Sequence, residues 1–245
     1  MPLPIRTVVE NFESTDEEGG YNLKPMNPPS PFLSWIKIEN SDMIIPAQSK
    51  RVIPVTVKIP AIVPVGGYYV IIFLEPILPH DALYSNLIRS KIGVVMLANI
   101  GVPNYPGEKG KIVQFAPQKN FIDNEPVELN LRFKNTSLYH YSTKPFIVIE
   151  SLWADPIRKE IDEKVVLPGK TRSWKNTLAL PSQNRIVYKI TARVSTGQGN
   201  FIDATTYVFS FPLTKTLIVT SVTILLFIVI RKRRKFRDAV GEFFK

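Results

Sequence analysis

Apolar and polar residues alternate with a period of two through most of this chain, and the habit breaks only in its last few dozen positions. In RVIPVTVKIP, Ile53, Val55, Val57 and Ile59 fall on one face, with Thr56 and Lys58 on the other. PVELNLRFKN sends Val127, Leu129, Leu131 and Phe133 one way and Glu128, Asn130, Arg132 and Lys134 the other. RIVYKITARV repeats the pattern with Ile186, Tyr188, Ile190, Ala192 and Val194. A period of two is what a strand with one buried face requires. One wet face per strand points to antiparallel sandwiches. The 21 prolines outnumber the 12 glycines and fall between the alternating runs, which favours short strands over long helices. The predicted fold class is mainly β, with two immunoglobulin-like antiparallel β-sandwich domains followed by a single transmembrane α-helix.

The first sandwich, residues 1–103, is predicted to hold strands near Ile5–Phe12, Leu33–Glu39, Lys50–Ile59, Tyr68–Glu75 and Ser90–Ile100. PAIVPVGGYY supplies a bend in which Gly66 and Gly67 are free to take positive φ. The second, residues 104–212, opens at the turn-rich NYPGEK, Asn104 to Lys109. Its strands are Lys111–Phe115, Val127–Asn135, Pro145–Ser151, Ile157–Val166, Thr171–Leu178, Ile186–Ser195 and Ala204–Phe211. Seven strands suffice for an immunoglobulin-like sandwich. The first unit has five, and its opening strand would be an unpaired apolar edge, an aggregation hazard. Two further leading strands and a signal peptide are therefore expected upstream, with Met1 an internal methionine.

From Leu213 to Ile230 only Lys215 is charged. Eighteen residues at about 1.5 Å each span roughly 27 Å, close to the hydrocarbon layer of a bilayer at ~30 Å. Residues 213–230 are predicted to be a transmembrane helix, with Lys215 stretching its ammonium to the headgroups. Tyr207, Phe209 and Phe211 suit the interface. Read instead as a buried helix of a soluble domain, the segment would abut Arg231, Lys232, Arg233, Arg234 and Lys235 with no acidic partner nearby. That cluster stays cytoplasmic under the positive-inside bias, which places residues 1–212 outside the cell and 231–245 as a basic cytoplasmic tail. Membrane lipid is thus the first implied partner, and anionic headgroups add about 1 kcal/mol per basic residue near the surface. Phe236, Val240, Phe243 and Phe244 recur at helical spacing, so the tail either lies along the membrane or frays into solvent. MPLPIRTVVE has no apolar export signal. Either the signal lies upstream, or the chain is tail-anchored with its domains in the cytosol.

Charge narrows the partners. The net charge is +10. Seven basic residues after Ile230, less Asp238 and Glu242, leave +5 in the tail, so half the excess sits there. The rest is spread without the basic, aromatic-interleaved element of a nucleic-acid binder. With no cysteine, disulfides, thiolate metal sites and cysteine nucleophiles are excluded. LPGKTR has the Gly-Lys-Thr of a phosphate loop, but Lys164 stands where its first glycine belongs, so a hairpin turn is predicted. DEEGG, Asp16 to Gly20, gathers three carboxylates and reads as a solvated hairpin tip, with a Ca²⁺ loop the other reading. His80 and His140 have no local partners for zinc or for a catalytic triad. Glu10, Glu39 and Glu75 mark no carboxylate pair for glycoside cleavage. No catalytic residue, cofactor site, metal site or small-molecule substrate is predicted. Trp35 reads as core. SLYHYS, with Asn135-Thr136-Ser137 beside it, is the predicted contact surface, and the partner-binding residues are Tyr139, His140, Tyr141 and Trp153.

VVENFESTDEEGGYNLKP and the following PFLSWIKIENSDMIIPAQSKRVIPVTVKIPAIVPVGGYYVIIFLEP resemble the first domain of the WxL-interacting proteins and related bacterial surface proteins. The likeness lies in the serine-bearing turn Pro46–Ser49, the strand Val55–Pro60, the bend Pro64–Tyr68 and the apolar strand Val70–Leu74. LRFKNTS (Leu131–Ser137) and VVLPGKTRSW (Val165–Trp174) are similar to that group's second sandwich. The resemblance implies peptidoglycan contact by the first domain and protein binding by the second. The expected function is a non-catalytic, membrane-anchored cell-surface protein that binds cell-wall polymer or partner proteins. The alternative is a cytosolic tail-anchored adaptor with sperm-protein-like β domains.

Overall fold

A computed structural model describes residues 2–22, 30–77, 90–101, 109–123, 125–152, 154–180, 186–196, 200–211 and 213–243. Trp153, His80 and most of the 104–109 boundary lie outside the described residues, as do the side chains of Lys215, Arg233, Arg234 and Lys235.

The first unit comprises β1 (Leu3–Glu10), β2 (Glu13–Ser14), β3 (Tyr21–Asn22), α1 (Phe32–Trp35), β4 (Ile36–Ile38), β5 (Asp42–Ile45), β6 (Val55–Val57), β7 (Gly66–Pro76) and β8 (Ile92–Ile100). Its main sheet has the order β5-β1-β7-β8, all antiparallel. β4 pairs with β6, and β2 with β3, as separate two-stranded ladders. β1 therefore lies inside its sheet rather than at the edge that alternation alone predicts, because DMII, too short to register as a strand, pairs with its free side. The strand expected at Leu33–Glu39 begins as the single turn α1, which buries Phe32 and Trp35 against Val70. Trp35 lies 4.8 Å from Tyr68 and 5.6 Å from Phe32, ring centre to ring centre, so it is core. The strand expected over Lys50–Ile59 shrinks to Val55–Val57. Pro54 and Pro60 bound it, since neither can donate to a ladder, and Val57 and Ile59 are exposed rather than inward.

The second unit faces two sheets. β10 (Phe121–Ile122), β18 (Phe201–Ser210), β17 (Val187–Ser195), β13 (Phe146–Ser151) and β14 (Ala154–Glu160) form one in that order. β16 (Thr171–Leu178), β11 (Val127–Asn135) and β9 (Gly110–Pro117) form the other. β12 (Tyr141–Thr143) and β15 (Lys164–Val166) pair beside them. Between the sheets lie Val127, Leu129, Leu131 and Phe133 from β11 and Tyr188, Ile190, Ala192 and Val194 from β17, as alternation predicts. Ile186, expected with them, precedes β17 and is exposed. The strand expected at Ile157–Val166 is two, β14 and β15, broken where the Ile161 amide turns to the Pro145 carbonyl. Leu167 to Lys170 is a tight turn closed by Lys170 N–H to Leu167 O at 3.1 Å, with Gly169 at φ +70° after Pro168. A proline followed by a left-handed glycine is type II turn chemistry, and no phosphate loop is formed.

Beyond the sandwiches runs α2 (Leu213–Phe243), 31 residues long. Its described side chains, 216–232, are exposed throughout. Among the described residues, no helix is long and apolar enough to cross a membrane.

Candidate functional site

The predicted contact loop sits where the two units meet. Asn135, at the end of β11, is fully buried. Its amide donates to the Tyr139 and Val166 carbonyls at 2.7 and 2.8 Å, and its oxygen accepts from Ser137 N–H and Oγ at 2.8 and 2.7 Å. Four bonds on one side chain clamp the following loop into shape. Asn135 and Ser137 are thus a buried structural knot, not part of a contact surface. Tyr141 is buried in the second core, edge-on to Phe133, with its hydroxyl donating to Lys109 O at 2.9 Å. Tyr139 is also buried.

The first unit contacts the rest of the loop at Leu138 and His140. Gly67 N–H, at the start of β7, donates to Leu138 O at 2.9 Å. Asn99 of β8 bonds both backbone groups of His140, donating to its carbonyl at 2.9 Å and accepting from its amide at 3.2 Å. Tyr69 meets the His140 ring edge-on at 5.4 Å. Burial raises the Tyr69 pKa and lowers that of His140, since it disfavours the charged form of each. Two glycines make the room. A Cβ on Gly67 would lie 1.7 Å from the Tyr69 hydroxyl, and one on Gly101 would lie 1.9 Å from that of Tyr139. Tyr139 and Tyr141 are therefore core residues, and His140 is half-buried at the junction with the first unit. An aromatic loop between polar residues carries the same signal whether the protein that covers it is another chain or its own neighbouring domain.

The DEEGG stretch makes the second contact. Asp16 Oδ1 accepts from the amides of Glu18, Gly19 and Gly20 at 2.9, 2.7 and 2.7 Å, which closes the tip of the β2–β3 hairpin. These bonds, from Gly20 and Gly19 foremost, lower the Asp16 pKa. The tip is not simply solvated, because it turns its remaining carboxylates onto the second unit. Glu17 takes two bonds from Arg132 on β11, at 2.7 and 2.5 Å, and the Arg132 guanidinium lowers its pKa. Glu18 pairs with Lys175 at 2.6 Å and Glu13 with Lys170 at 3.0 Å. Ser173 N–H donates to Glu17 O at 2.9 Å, and Arg172 reaches Asp16 O at 3.4 Å. Among the described residues no group of acids and histidines could hold a metal ion. Sequence reasoning could not find these pairs, since Glu17 and Arg132 stand 115 positions apart.

Other surfaces stay open among the described residues. β8 is an edge strand with exposed Ile92 and Val94 on the face that further along carries the packed Met96, Ala98 and Ile100, and with exposed Val95 on the other. A groove of about 350 Å³ with mixed polar and apolar walls lies along β9, β11 and β16, lined by Gln114, Ala116, Pro117, Glu128, Leu129 and Lys175 among others.

No family model and no curated protein matches the sequence. Solved structures that are similar include a chaperone–tip adhesin complex of CFA/I fimbriae biogenesis, at 12% identity and TM-score 0.38 over 86% of each chain. The class 5 fimbriae chaperone CfaA is similar at 12% identity and TM-score 0.39, over 86% of this chain and 87% of that one. The YadV chaperone is similar at 13% and 0.35, over 84% and 86%. The likeness is to the immunoglobulin-like fold of such chaperones, and kinship with the WxL-interacting proteins is not shown.

Proposed function

We propose that this chain is a non-catalytic, membrane-anchored cell-surface protein whose β units project from the cell and bind another protein. The observation that carries the anchor is α2. Its apolar side chains from Leu217 to Ile230 are 44 to 67% exposed on every side of the helix, and exposed Arg231 and Lys232 follow directly. An apolar helix without a protein partner needs lipid as its solvent. The helical backbone runs past both ends of the described side chains, and from Leu213 to Ile230 the sequence carries no charge but Lys215. Arg231 to Lys235 would hold the tail in the cytoplasm.

The edge of β8 supports a protein partner. An unpaired strand edge offers backbone donors and acceptors that an added strand satisfies, and its exposed apolar side chains supply affinity. Burial of Trp35 and Trp174 removes two stacking platforms a glycan would use, which favours protein over wall polymer. Protease added to intact cells tests the topology. Residues 1–212 should be digested while the tail is protected, and protection of 1–212 would replace this reading with the cytosolic tail-anchored adaptor. Ile92→Lys with Val94→Lys should abolish co-purification of the partner at an unchanged melting temperature.

A further inference from the structure

We propose that the basic stripe under the β2–β3 hairpin is a recognition surface for an acidic peptide segment of a partner protein, and that the hairpin is its built-in competitor. The stripe consists of Arg132, Lys170, Arg172 and Lys175 on β11 and β16 and the turn before β16. The hairpin shows what chemistry it accepts. Glu13, Glu17 and Glu18 each meet one cation, and the Ser173 amide takes a main-chain carbonyl. Recognition of backbone as well as carboxylate favours a peptide over a polyanion without amides.

Three features make the cover removable. The side chains of the three pairs are between a third and three-quarters exposed, so each pair exchanges readily with solvent ions. Among the described residues β2 and β3 pair only with each other, so the hairpin can swing away without breaking the main sheet. The stripe itself rests on β11 and β16, whose eight-residue register and inward Leu131 and Trp174 keep it rigid when uncovered. Lys175 also lines the groove along β9, β11 and β16, so an incoming peptide has room beyond the hairpin's footprint. The proposal goes beyond strand addition at β8 and shares with it only the premise of a protein partner.

The test uses the full chain in detergent and, as probe, a labelled free peptide with the sequence of residues 13–22. Glu13→Gln, Glu17→Gln and Glu18→Gln together weaken the internal cover, and the probe should then bind on the order of tenfold more tightly than to the wild type. Adding Arg132→Gln and Lys175→Gln to that variant should abolish the gain. An unchanged urea-unfolding midpoint reports that the fold stays intact in every variant. Equal probe affinity for the wild type and the triple variant, with the core intact, would overturn the proposal. So would inorganic polyphosphate displacing the probe while a second acidic peptide fails to do so, since the stripe would then select charge alone. Neither result depends on β8, so failure here leaves the strand-addition reading to its own test.

Discussion

Placing charge in the middle of α2 tests the anchor most directly. Eleven apolar side chains, Leu217, Ile218, Val219, Val222, Ile224, Leu225, Leu226, Phe227, Ile228, Val229 and Ile230, are exposed on the helix. At about 0.3–0.6 kcal/mol each on an insertion scale they favour the bilayer by about 3–7 kcal/mol. Thr220, Ser221 and Thr223 subtract little, because their hydroxyls donate back to the carbonyls of Thr216, Leu217 and Val219 within the helix. An arginine near the centre costs about 2.5–3.5 kcal/mol and also forfeits the residue it replaces. Val222→Arg alone should therefore leave insertion weakened. Val222→Arg with Leu225→Arg costs about 6–8 kcal/mol and should abolish it. Alkaline carbonate extraction of membranes reads the outcome, with gradient flotation to separate membranes from aggregates. The wild type should stay with the floating membranes, the single variant should divide, and the double variant should be released. Retention of the double variant at the wild-type level, or release of the wild type, would refute the reasoning.

Other perturbations probe the junction and the core. Gly67→Ala places a methyl 2.5 Å from Tyr69 Cζ, and the ring must move off His140; overpacking of this kind costs about 1–3 kcal/mol, visible as a lower melting temperature. Asn135→Ala strips partners from two carbonyls and from Ser137, which should cost about 1–3 kcal/mol in urea unfolding, whereas Thr136→Ala on the exposed side should be silent. His140 is held below its ordinary 6.5 by burial, so the folded form resists a proton that the unfolded chain accepts. Its contribution is whole above pH 6.5 and declines as the pH falls below that value, and His140→Phe should flatten this part of the urea-midpoint profile.

Where alternation was strict the sequence could be read to the residue. β11 and β16 run over the predicted spans, and on β11 Val127, Leu129, Leu131 and Phe133 are inward as alternation predicts. Where prolines cut a run, as at Pro54, or where apolar residues fell at 32, 35 and 36, period two misled. The spacing of Phe32, Trp35 and Ile36 is helical, and it signals the α1 turn that a strand reading passes over. The contact loop was found by its aromatics, but its packing against Gly67, Tyr69 and Asn99 of the first unit was not. Burial of Tyr139 and Tyr141 depends on β7, β8 and a second core that local pattern cannot place. The hairpin's ion pairs were illegible for the same reason, since each acid is separated from its base by more than a hundred residues.

That separation sets an order of events in the living cell. Glu17 leaves the ribosome 115 residues ahead of Arg132. At roughly 5–20 residues per second it waits about 6–23 s for its counterion. Throughout that interval the nascent hairpin carries bare carboxylates, and β1 to β8 must find their own register unaided by the second domain. Closure of the junction is then a late step in biogenesis, after each sheet has formed alone.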